Sequence, residues 1–490
     1  MTHTKPDTRI AIVGSGFSGL GLAIRLKQAG MHDFVILERA EDLGGTWRDN
    51  SYPGCRCDVP SHLYSFSFAM NPDWSETYSP QPEIWEYLRR VSAEHGLERH
   101  IRYGHDVQAS QWDDDAQMWR LKSSGGELTA QFVALGAGAL ADPRIPDLPG
   151  LDDFQGEVFH SASWNHDYDL RGKRVAVVGT GASAVQFIPE IQPDVERLVL
   201  FQRTPSWVLP HTNRGITRAE KWLYRTIPGA QRLSRLGIYL GRELMVFGLA
   251  YRPGLLKPLE VLSRAHLNRQ VRDPKLRAKL TPNFRLGCKR ILLSNDYYLA
   301  LTRPNVDVVP AAITAVKPRS VVGADGSEHE VDAIILGTGF HVTDPPYAEH
   351  IQGRDGRTLA EAFAGSPRAY LGTTSANFPN AFTLLGPNTG LGHTSVVYMI
   401  EGQINYVMRC LREAWRHGWR AVEVRPSVER AYNDELQRKL LGTVWNSGGC
   451  ASWYLDGNGR NSTIWPRFTW QFRLRTRSFR PSEYAVTPER

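Results

Sequence analysis

The chain has 490 residues, 41% of them hydrophobic, and a formal net charge of +7. This length predicts about two to four domains. The sequence contains no dense run of Lys and Arg of the kind that would indicate a nucleic-acid partner. The mildly basic charge is equally consistent with a surface that attracts phosphorylated cofactors. The polar segment Met1–Arg9 contains no signal-peptide core. No stretch reaches the roughly 18 apolar residues of a membrane span.

Five cysteines are scattered along the sequence. Only Cys55 and Cys57 are close together, and they lack the second Cys pair or the His cluster that a zinc site requires. We therefore expect a reduced, cytoplasmic protein without a metal.

A first glycine-rich turn, Gly14-Ser-Gly16-Phe-Ser-Gly19, follows the apolar run Ile10–Val13. In such a turn the first glycine allows a tight bend, the second lets the backbone approach a pyrophosphate, and the third lets helix and strand pack closely. The next helix offers free N–H groups to the phosphates. Glu38 follows Gly14 by 24 residues, where an acid binds a ribose 2′-hydroxyl. The pattern predicts a site for an unphosphorylated dinucleotide.

A second turn begins 165 residues later, after Val175–Val178, and reads Gly179-Thr-Gly181-Ala-Ser-Ala184. Arg203 follows Gly179 by 24 residues. A basic residue at this position accommodates a 2′-phosphate, so we expect NADPH here. One site of each kind indicates electron transfer from NADPH to a bound flavin.

The order of segments predicts an α/β protein with two Rossmann-type dinucleotide-binding domains and a helical insertion. The proline-rich stretch 142–150 marks a domain crossing. The expected parts are the FAD-binding domain (1–142), an interdomain linker (143–173), the NADPH-binding domain (174–217), the helical insertion (218–287), the second part of the NADPH-binding domain (288–340), and the second part of the FAD-binding domain with a C-terminal substrate-pocket segment (341–490).

The insertion is expected to be helical because apolar residues recur at helical spacing among many Arg and Lys, for example Leu233, Leu236 and Leu240. Leu244–Tyr251 is strongly apolar but too short to span a bilayer. This segment is either part of a helical core or a surface patch that contacts lipid or an apolar substrate. The second interpretation would allow a weak peripheral contact with a membrane.

Two later glycine-rich segments also indicate cofactor contact. After the apolar run that begins at Val331, Gly337, Gly339 and Phe340 form a turn whose backbone is expected to lie against a cofactor. Residues 382–395 form another glycine-rich turn before a predicted helix. The positive end of that helix is expected to point at the flavin.

Three more segments carry a family resemblance. Phe154–Trp164 matches the pattern FxGxxxHxxxW, Gly44–Asp58 matches GGxW followed by YPGxxxD, and Cys288 precedes the dipeptide Lys289-Arg290. On these motifs, which span nearly the whole chain, the sequence resembles the Baeyer–Villiger monooxygenases and their flavin-containing monooxygenase relatives. It departs from the pattern at Asn165. The C-terminal block around Tyr454 is more similar to the aryl-ketone and long-chain-ketone subgroup, which leaves the ketone open.

The resemblance implies an enzyme that inserts one oxygen atom of O₂ next to a ketone carbonyl to give an ester or lactone. NADPH would reduce FAD, and a C4a-peroxyflavin would add to the carbonyl. The flavin carries the difficult chemistry, while the protein orients the reactants. The expected partners are a small ketone and O₂, and the oligomeric state stays open.

The resemblance also assigns roles to residues. Arg290 is expected to supply a permanent positive charge for the anionic adduct, and Asp58 to hold that guanidinium in place. Lys289 is expected to bind the 2′-phosphate together with Arg203 and Thr204. The other residues expected to contact a cofactor are Gly14, Gly16, Phe17, Ser18, Gly19, Glu38, Arg39, Gly45, Thr46, Trp47, Tyr64, Gly179, Thr180, Gly181, Ala182, Ser183, Gly339 and Phe340.

Some assignments have an equally simple structural interpretation. Trp47 and Tyr64 are either near the flavin or ordinary core aromatics, and His160 is expected to be a structural residue of the linker. An N- or S-oxygenating flavin-containing monooxygenase is the main alternative function. A flavoprotein that has lost oxygenation and acts as a sensor or reductase is another. The Lys-Arg dipeptide and Asp58 favour the Baeyer–Villiger branch.

Overall fold

The computed structural model describes residues 5–488, so residues 1–4 of the polar N-terminal segment and residues 489–490 lie outside the described residues. Two α/β units follow each other along the chain, and each is built on a parallel strand–helix–strand motif. The expected fold class, with two Rossmann-type units, is confirmed.

The first unit contains an eight-stranded sheet in which β1 lies between β2 and β6. All three strands are parallel, with Ile10 opposite both Phe34 and Phe132. Its elements are β1 (Thr8–Val13), α1 (Phe17–Gln28), β2 (Phe34–Leu37), α2 (Thr46–Asp49), α3 (Gln81–Glu94), β3 (Ile101–Arg102), β4 (Val107–Asp113), β5 (Met118–Ser123) and β6 (Gly126–Leu135).

The second unit contains a five-stranded parallel sheet of order β12-β9-β8-β16-β7. Its edge strand β7 lies within the segment expected to be a linker, so residues 157–160 belong to this sheet. The elements are β7 (Glu157–His160), β8 (Arg174–Val178), α4 (Ala182–Ile191), β9 (Arg197–Phe201), β10 (Val208–Leu209), β11 (Leu292–Leu293), α9 (Tyr297–Leu301), β12 (Val306–Val309), β13 (Ile313–Lys317), β14 (Ser320–Gly323), β15 (Glu328–Glu330) and β16 (Ala333–Leu336).

The insertion is helical, as its periodicity predicts. It consists of α5 (Arg218–Thr226), α6 (Ala230–Glu243), α7 (Lys257–Gln270) and α8 (Pro274–Lys279), with a π turn at Phe247–Tyr251. The segment Leu244–Tyr251 is partly core and partly surface. Val246 and Leu249 are buried, and Leu244, Phe247 and Tyr251 are exposed. Within residues 5–488, no helix is both long enough and apolar enough to cross a membrane.

The C-terminal part returns to the first unit, because β17 and β18 join the first sheet beside β4 and β6. Helix α11 begins after Ser395, as expected, and packs against α1. The elements are β17 (Ile351–Gln352), α10 (Leu359–Phe363), β18 (Ala381–Thr383), α11 (Val396–Arg416), β19 (Trp419–Val424), α12 (Pro426–Leu440), α13 (Val444–Ser447), α14 (Thr469–Arg475) and β20 (Tyr484–Pro488).

Candidate active site

The first glycine turn has the shape that a pyrophosphate requires. Gly14 has a φ of +92°, and a Cβ there would lie 2.8 Å from the Gly136 carbonyl oxygen. A Cβ at Gly19 would overlap the carbonyl oxygen of Gly14. Gly16 is open, with its nearest neighbour 3.9 Å from such an atom, and no side chain caps α1. The free N–H groups of the first turn of α1, which includes Phe17, Ser18 and Gly19, can therefore meet a phosphate.

Glu38 directly follows β2, and its side chain turns back toward the glycine turn. Its Oε2 accepts hydrogen bonds from the backbone N–H of Ser15 at 2.9 Å and from the Ser15 hydroxyl at 2.6 Å. Its Oε1 accepts one from Arg48 at 2.9 Å. Burial raises the pKa of Glu38, but the hydrogen bonds from Ser15 and the charge of Arg48 outweigh it and give a net lowering. The carboxylate is thus charged and close to the turn, as ribose binding requires.

Aromatic side chains pack beside the first turn. The Trp47 indole N–H donates to the Tyr64 hydroxyl at 3.1 Å, and Phe17 meets the Tyr64 ring edge-on at 5.2 Å. Gly45 lies against Gly16, because a Cβ at Gly45 would be 3.4 Å from the Gly16 Cα. The structure therefore brings Phe17, Gly45, Thr46, Trp47 and Tyr64 together at the glycine turn.

Arg39 lies at the rim of this unit. Its guanidinium donates to Asp142 at 3.0 Å and to the Ala141 carbonyl at 2.9 Å. The side chain is about half exposed. Arg39 therefore connects the first sheet to the start of the linker, and its predicted contact with the cofactor stays a prediction.

The second glycine turn repeats this arrangement. Gly179 has a φ of +110°, and a Cβ there would overlap the Gly337 carbonyl. Nothing lies within 4 Å of a Cβ at Gly181, and α4 begins without a side-chain cap. Space and free N–H groups thus occur together at Ala182 and Ser183, which is the combination that pyrophosphate binding requires. Gly339 is equally open, with a φ of +84°, and Phe340 packs against His160 at 5.6 Å.

The three residues predicted to bind the 2′-phosphate lie together. Lys289 Nζ donates to the Thr204 hydroxyl at 2.7 Å. The pKa of Lys289 is lowered, first by burial and then by the positive charge of Arg203. Thr180 also belongs to this group, since its hydroxyl donates to the Thr204 carbonyl at 3.0 Å. The positive charges of Lys289 and Arg203 repel each other. An anion bound beside both would relieve this repulsion and form charge-assisted hydrogen bonds.

Arg290 and Asp58 form a two-bond ion pair. Arg290 Nε and Nη2 donate to the two carboxylate oxygens at 2.5 and 2.6 Å. Arg290 Nη1 donates to the Leu391 carbonyl at 3.3 Å. Burial raises the pKa of Asp58, but the charge and hydrogen bonds of Arg290 give a net lowering. Burial likewise lowers the pKa of Arg290, and Asp58 more than reverses this. Both groups therefore stay charged at physiological pH.

Two further residues near this pair were not predicted from the sequence. The positive charge of Arg242 helps to lower the pKa of Asp58, and Arg242 donates to the Tyr78 hydroxyl at 3.0 Å. Burial raises the pKa of the Tyr454 phenol to about 12, against the opposing charge of Arg290. Among the described residues, nothing bonds to the buried Tyr454 hydroxyl. Neither residue stands in a motif that would single it out, although Tyr454 belongs to the C-terminal block noted above.

A disulfide joins Cys288 to Cys450 across 162 residues. The expectation of a fully reduced protein is therefore wrong. The pairing could not be deduced because the two cysteines come together only when the C-terminal segment folds over the second unit. The disulfide therefore joins Cys288, two residues before Arg290, to Cys450, four residues before Tyr454. Cys55, Cys57 and Cys410 are buried free thiols.

His160 is placed as a structural residue. It is buried, and its Nδ1 accepts a hydrogen bond from the Ala162 backbone N–H at 3.0 Å. Burial lowers its pKa to about 4, so the ring is neutral at physiological pH. This agrees with the interpretation that it is neither an acid nor a base in the reaction.

Comparison with known proteins identifies the family. A family model described as flavin-binding monooxygenase-like matches residues 7–219. A Baeyer–Villiger monooxygenase of Streptomyces coelicolor is 52% identical over 98% of this chain and 92% of its own length. A Baeyer–Villiger monooxygenase of Pseudomonas aeruginosa is 49% identical over 98% of this chain and 91% of its own length.

A solved structure agrees with these relatives. Cyclohexanone monooxygenase from Rhodococcus sp. Phi1, bound to NADP⁺, superimposes with a TM-score of 0.87 at 29% identity, covering 99% of this chain and all of the other. The expected enzyme class, a flavoprotein monooxygenase of the Baeyer–Villiger branch, is confirmed. The chain belongs to the Baeyer–Villiger monooxygenases.

Proposed function

We propose that the first unit binds FAD, that the second binds NADPH, and that Arg290 is the catalytic cation for oxygen insertion next to a ketone carbonyl. The role of Arg290 rests on its bidentate ion pair with Asp58. On this proposal, residues 1–142 and 341–490 form the FAD domain and residues 174–217 and 288–340 the NADPH domain. The requirement for NADPH supports a cytoplasmic location, where a disulfide such as Cys288–Cys450 would be an exception.

The pair joins elements of both units. Asp58 follows Tyr52 in the motif of the first unit, and Tyr52 donates a hydrogen bond of 3.0 Å to Gln186 on α4. Arg290 follows Lys289, which contacts Thr204 in the predicted phosphate site. A guanidinium in this position can act where the two coenzymes meet. Asp58 and Arg290 are only about a quarter and a third exposed, so water screens them incompletely.

The hydrogen-bond geometry leaves Arg290 able to act on a ligand. A guanidinium has five N–H donors. Two are used by Asp58 and one by the Leu391 carbonyl. One N–H on Nη1 and one on Nη2 are left to donate to an oxygen anion. Such preorganised donors stabilise negative charge that develops during a reaction, and losing one typically costs about 100- to 1,000-fold in rate.

When bound, the flavin supplies the activated oxygen, one atom of O₂, that goes into the product. The protein residues hold and orient the reactants. The uncapped start of α1 and Glu38 bind one dinucleotide. Arg203, Thr204 and Lys289 bind the phosphate that distinguishes NADPH from NADH. Arg290 donates to the oxygen that becomes negatively charged on the ketone carbon.

The proposal is tested with purified protein loaded with FAD. We expect NADPH oxidation and O₂ uptake that rise on adding a ketone, with an ester or lactone detected by mass. Cyclic, aryl and long aliphatic ketones are compared to find the substrate class. A thioether assayed in parallel separates this function from N- or S-oxygenation. A colourless protein that cannot be reconstituted with FAD, or NADPH oxidation that yields no ester from any ketone class, would contradict it.

A further inference from the structure

Helix α6 is oriented with its polar side toward the protein. Its buried residues are Gln231, Arg235, Tyr239 and Glu243, spaced four apart. Arg235 Nη1 donates to the carbonyl oxygens of His62 at 2.7 Å and Ser65 at 3.0 Å. At its other end, Glu243 accepts hydrogen bonds from Thr469, and the Tyr239 hydroxyl also contacts Thr469, at 3.1 Å. These polar contacts fix the rotation of the helix.

The opposite side of α6 therefore presents an apolar stripe to solvent. Leu233 is 71% exposed and Leu244 is 64% exposed, with Leu236 and Leu240 between them. Large exposed apolar side chains are concentrated in this part of the chain. Of nineteen such residues among those described, eleven lie between residues 222 and 262: Trp222, Ile227, Leu233, Leu236, Leu240, Leu244, Phe247, Tyr251, Leu255, Val261 and Leu262.

The stripe continues onto α14 through ring contacts. Phe247 meets Phe468 edge-on at 5.2 Å, and Phe468 stacks with Trp470 at 5.9 Å. Trp470 and Leu474 on α14 are themselves exposed. We call the surface formed by the apolar stripe of α6, Phe247, Phe468, Trp470 and Leu474 the α6/α14 face.

A basic cavity opens beside the α6/α14 face. It has a volume of about 500 Å³ and shares Trp470 and Leu474 with that face. Another of its lining residues, Tyr398, stacks on Tyr239 of α6 at 4.8 Å. No acidic residue is among those described as lining the cavity, and five arginines line it: Arg25, Arg409, Arg412, Arg473 and Arg477. Arg473 reaches Glu401 behind it at 3.6 Å.

We propose that the α6/α14 face docks on the surface of an anionic phospholipid bilayer. The leucines and aromatic rings would enter the boundary between head groups and acyl chains, and the arginine cavity would take the phosphates of lipid head groups. Exposed apolar residues next to cationic ones are typical of helices that lie in a membrane interface. Arginine is also well suited to binding phosphate through two N–H groups.

Charge identifies the membrane as the partner. Residues 218–272 contain eleven Lys and Arg and three Glu. Arg235 and Glu243 are buried beneath α6, and the remaining ten cations and two acids leave a net charge of +8, against +7 for the whole chain. In a twofold dimer the same surface would face itself, so cationic patches would be brought together. An anionic lipid surface instead attracts such a patch.

The test uses FAD-loaded protein and sedimentation with vesicles of phosphatidylcholine, with or without phosphatidylglycerol. We expect co-sedimentation with the anionic vesicles at low salt and its loss at high salt, since ionic strength screens the attraction. The double variant Leu236→Glu/Leu240→Glu should bind at least tenfold less. Leu441→Glu, at a leucine outside this face that is 71% exposed, is the control and should bind as the parent does.

A second pair of variants tests the cavity. Arg409→Ala/Arg412→Ala should weaken vesicle binding at least tenfold, whereas Arg430→Ala/Arg438→Ala, which removes the same charge elsewhere, should not. Retained flavin absorbance and NADPH oxidation show that each variant is folded. If glycerol phosphate inhibits NADPH oxidation and the protein binds to none of the vesicles, the cavity is a site for soluble phosphates and the proposal is overturned. Vesicle binding equal in all variants, or a dimer dispersed by Leu236→Glu/Leu240→Glu, would also overturn it.

Discussion

Asp58 and Arg290 lie 232 residues apart in the chain and are joined by two parallel hydrogen bonds of 2.5 and 2.6 Å. The carboxylate fixes the plane of the guanidinium and faces it from one side only. The positive charge is thereby held in one orientation, with N–H groups still available to a ligand. The function proposed for this Baeyer–Villiger monooxygenase depends on this relationship.

Replacing Asp58 with Asn should lower the rate of ester formation by about 10- to 1,000-fold, because the guanidinium loses its charged anchor. Product formation under saturating NADPH and ketone measures this. Asp344→Asn, at a half-exposed carboxylate in the loop after β16, is the control. An unchanged rate in Asp58→Asn would show that the anchor is dispensable.

The Asp58–Arg290 pair should stay intact in moderately acidic solution. The pKa of Asp58 is lowered in the folded protein from its ordinary value of 3.8. The stability that its charge contributes is therefore fully present above that value and is lost as the pH falls through the lower folded pKa. We expect no loss of stability from this group between pH 5 and 8. Denaturation curves of the parent and Asp58→Asn should accordingly be separated by a constant difference over this range.

Coenzyme preference should depend on Arg203 and Lys289. A hydrogen bond to a charged group contributes about 1.5–3 kcal/mol, so Arg203→Ala and Lys289→Ala should each reduce the preference for NADPH over NADH by about 10- to 100-fold. The ratio of kcat/KM for the two coenzymes measures this. Arg197→Ala removes an arginine that pairs with Asp307 on the same unit and should leave the ratio unchanged. Equal discrimination in parent and Arg203→Ala would reject the phosphate site.

FAD affinity should depend on the charge of Glu38. Glu38→Gln should weaken FAD binding about tenfold, because the ribose and Ser15 lose a charged acceptor. The Kd is measured by fluorescence after removing and restoring FAD. Glu41→Gln, on the exposed loop nearby, is the control. An FAD affinity equal to that of the parent would show that Glu38 only shapes the turn.

The Cys288–Cys450 disulfide should stabilise the C-terminal segment. A disulfide that closes a long loop typically contributes about 2–4 kcal/mol, so Cys450→Ser should unfold at lower denaturant concentration than the parent. Peptide mass mapping without reductant should recover the linked pair. Cys410→Ser, at a buried free thiol, changes the same atoms without breaking a crosslink. Purified protein with both thiols free and unchanged stability in Cys450→Ser would contradict the bond.

The positions of the two nucleotide turns followed from the sequence because local geometry dictates them. Gly14 and Gly179 both adopt positive φ values, and the carbonyl groups of Gly136 and Gly337, just after strands β6 and β16, leave no room for a Cβ there. The contact of Lys289 with Thr204 and the pairing of Arg290 with Asp58 came from the family motifs, since neither spacing nor periodicity could place residues so far apart next to each other.

The outward orientation of α6 did not follow from its periodicity. The repeat of Leu233, Leu236 and Leu240 predicts an amphipathic helix but not which side meets the protein. Long-range contacts of Arg235 with the His62 carbonyl and of Glu243 with Thr469 decide that. The disulfide and the burial of Tyr454 depend on the C-terminal segment in the same way.

The role of Arg290 is tested most directly by comparing Arg290→Ala with Arg290→Lys in FAD-loaded protein. Flavin bleaching by NADPH without O₂ is followed by absorbance, and ester is quantified from the same preparation with O₂ and ketone. We predict bleaching at a rate within a few-fold of the parent, no detectable ester and increased release of hydrogen peroxide from Arg290→Ala, with partial ester formation by Arg290→Lys. Ester formed by Arg290→Ala at close to the parental rate would contradict the central role of Arg290.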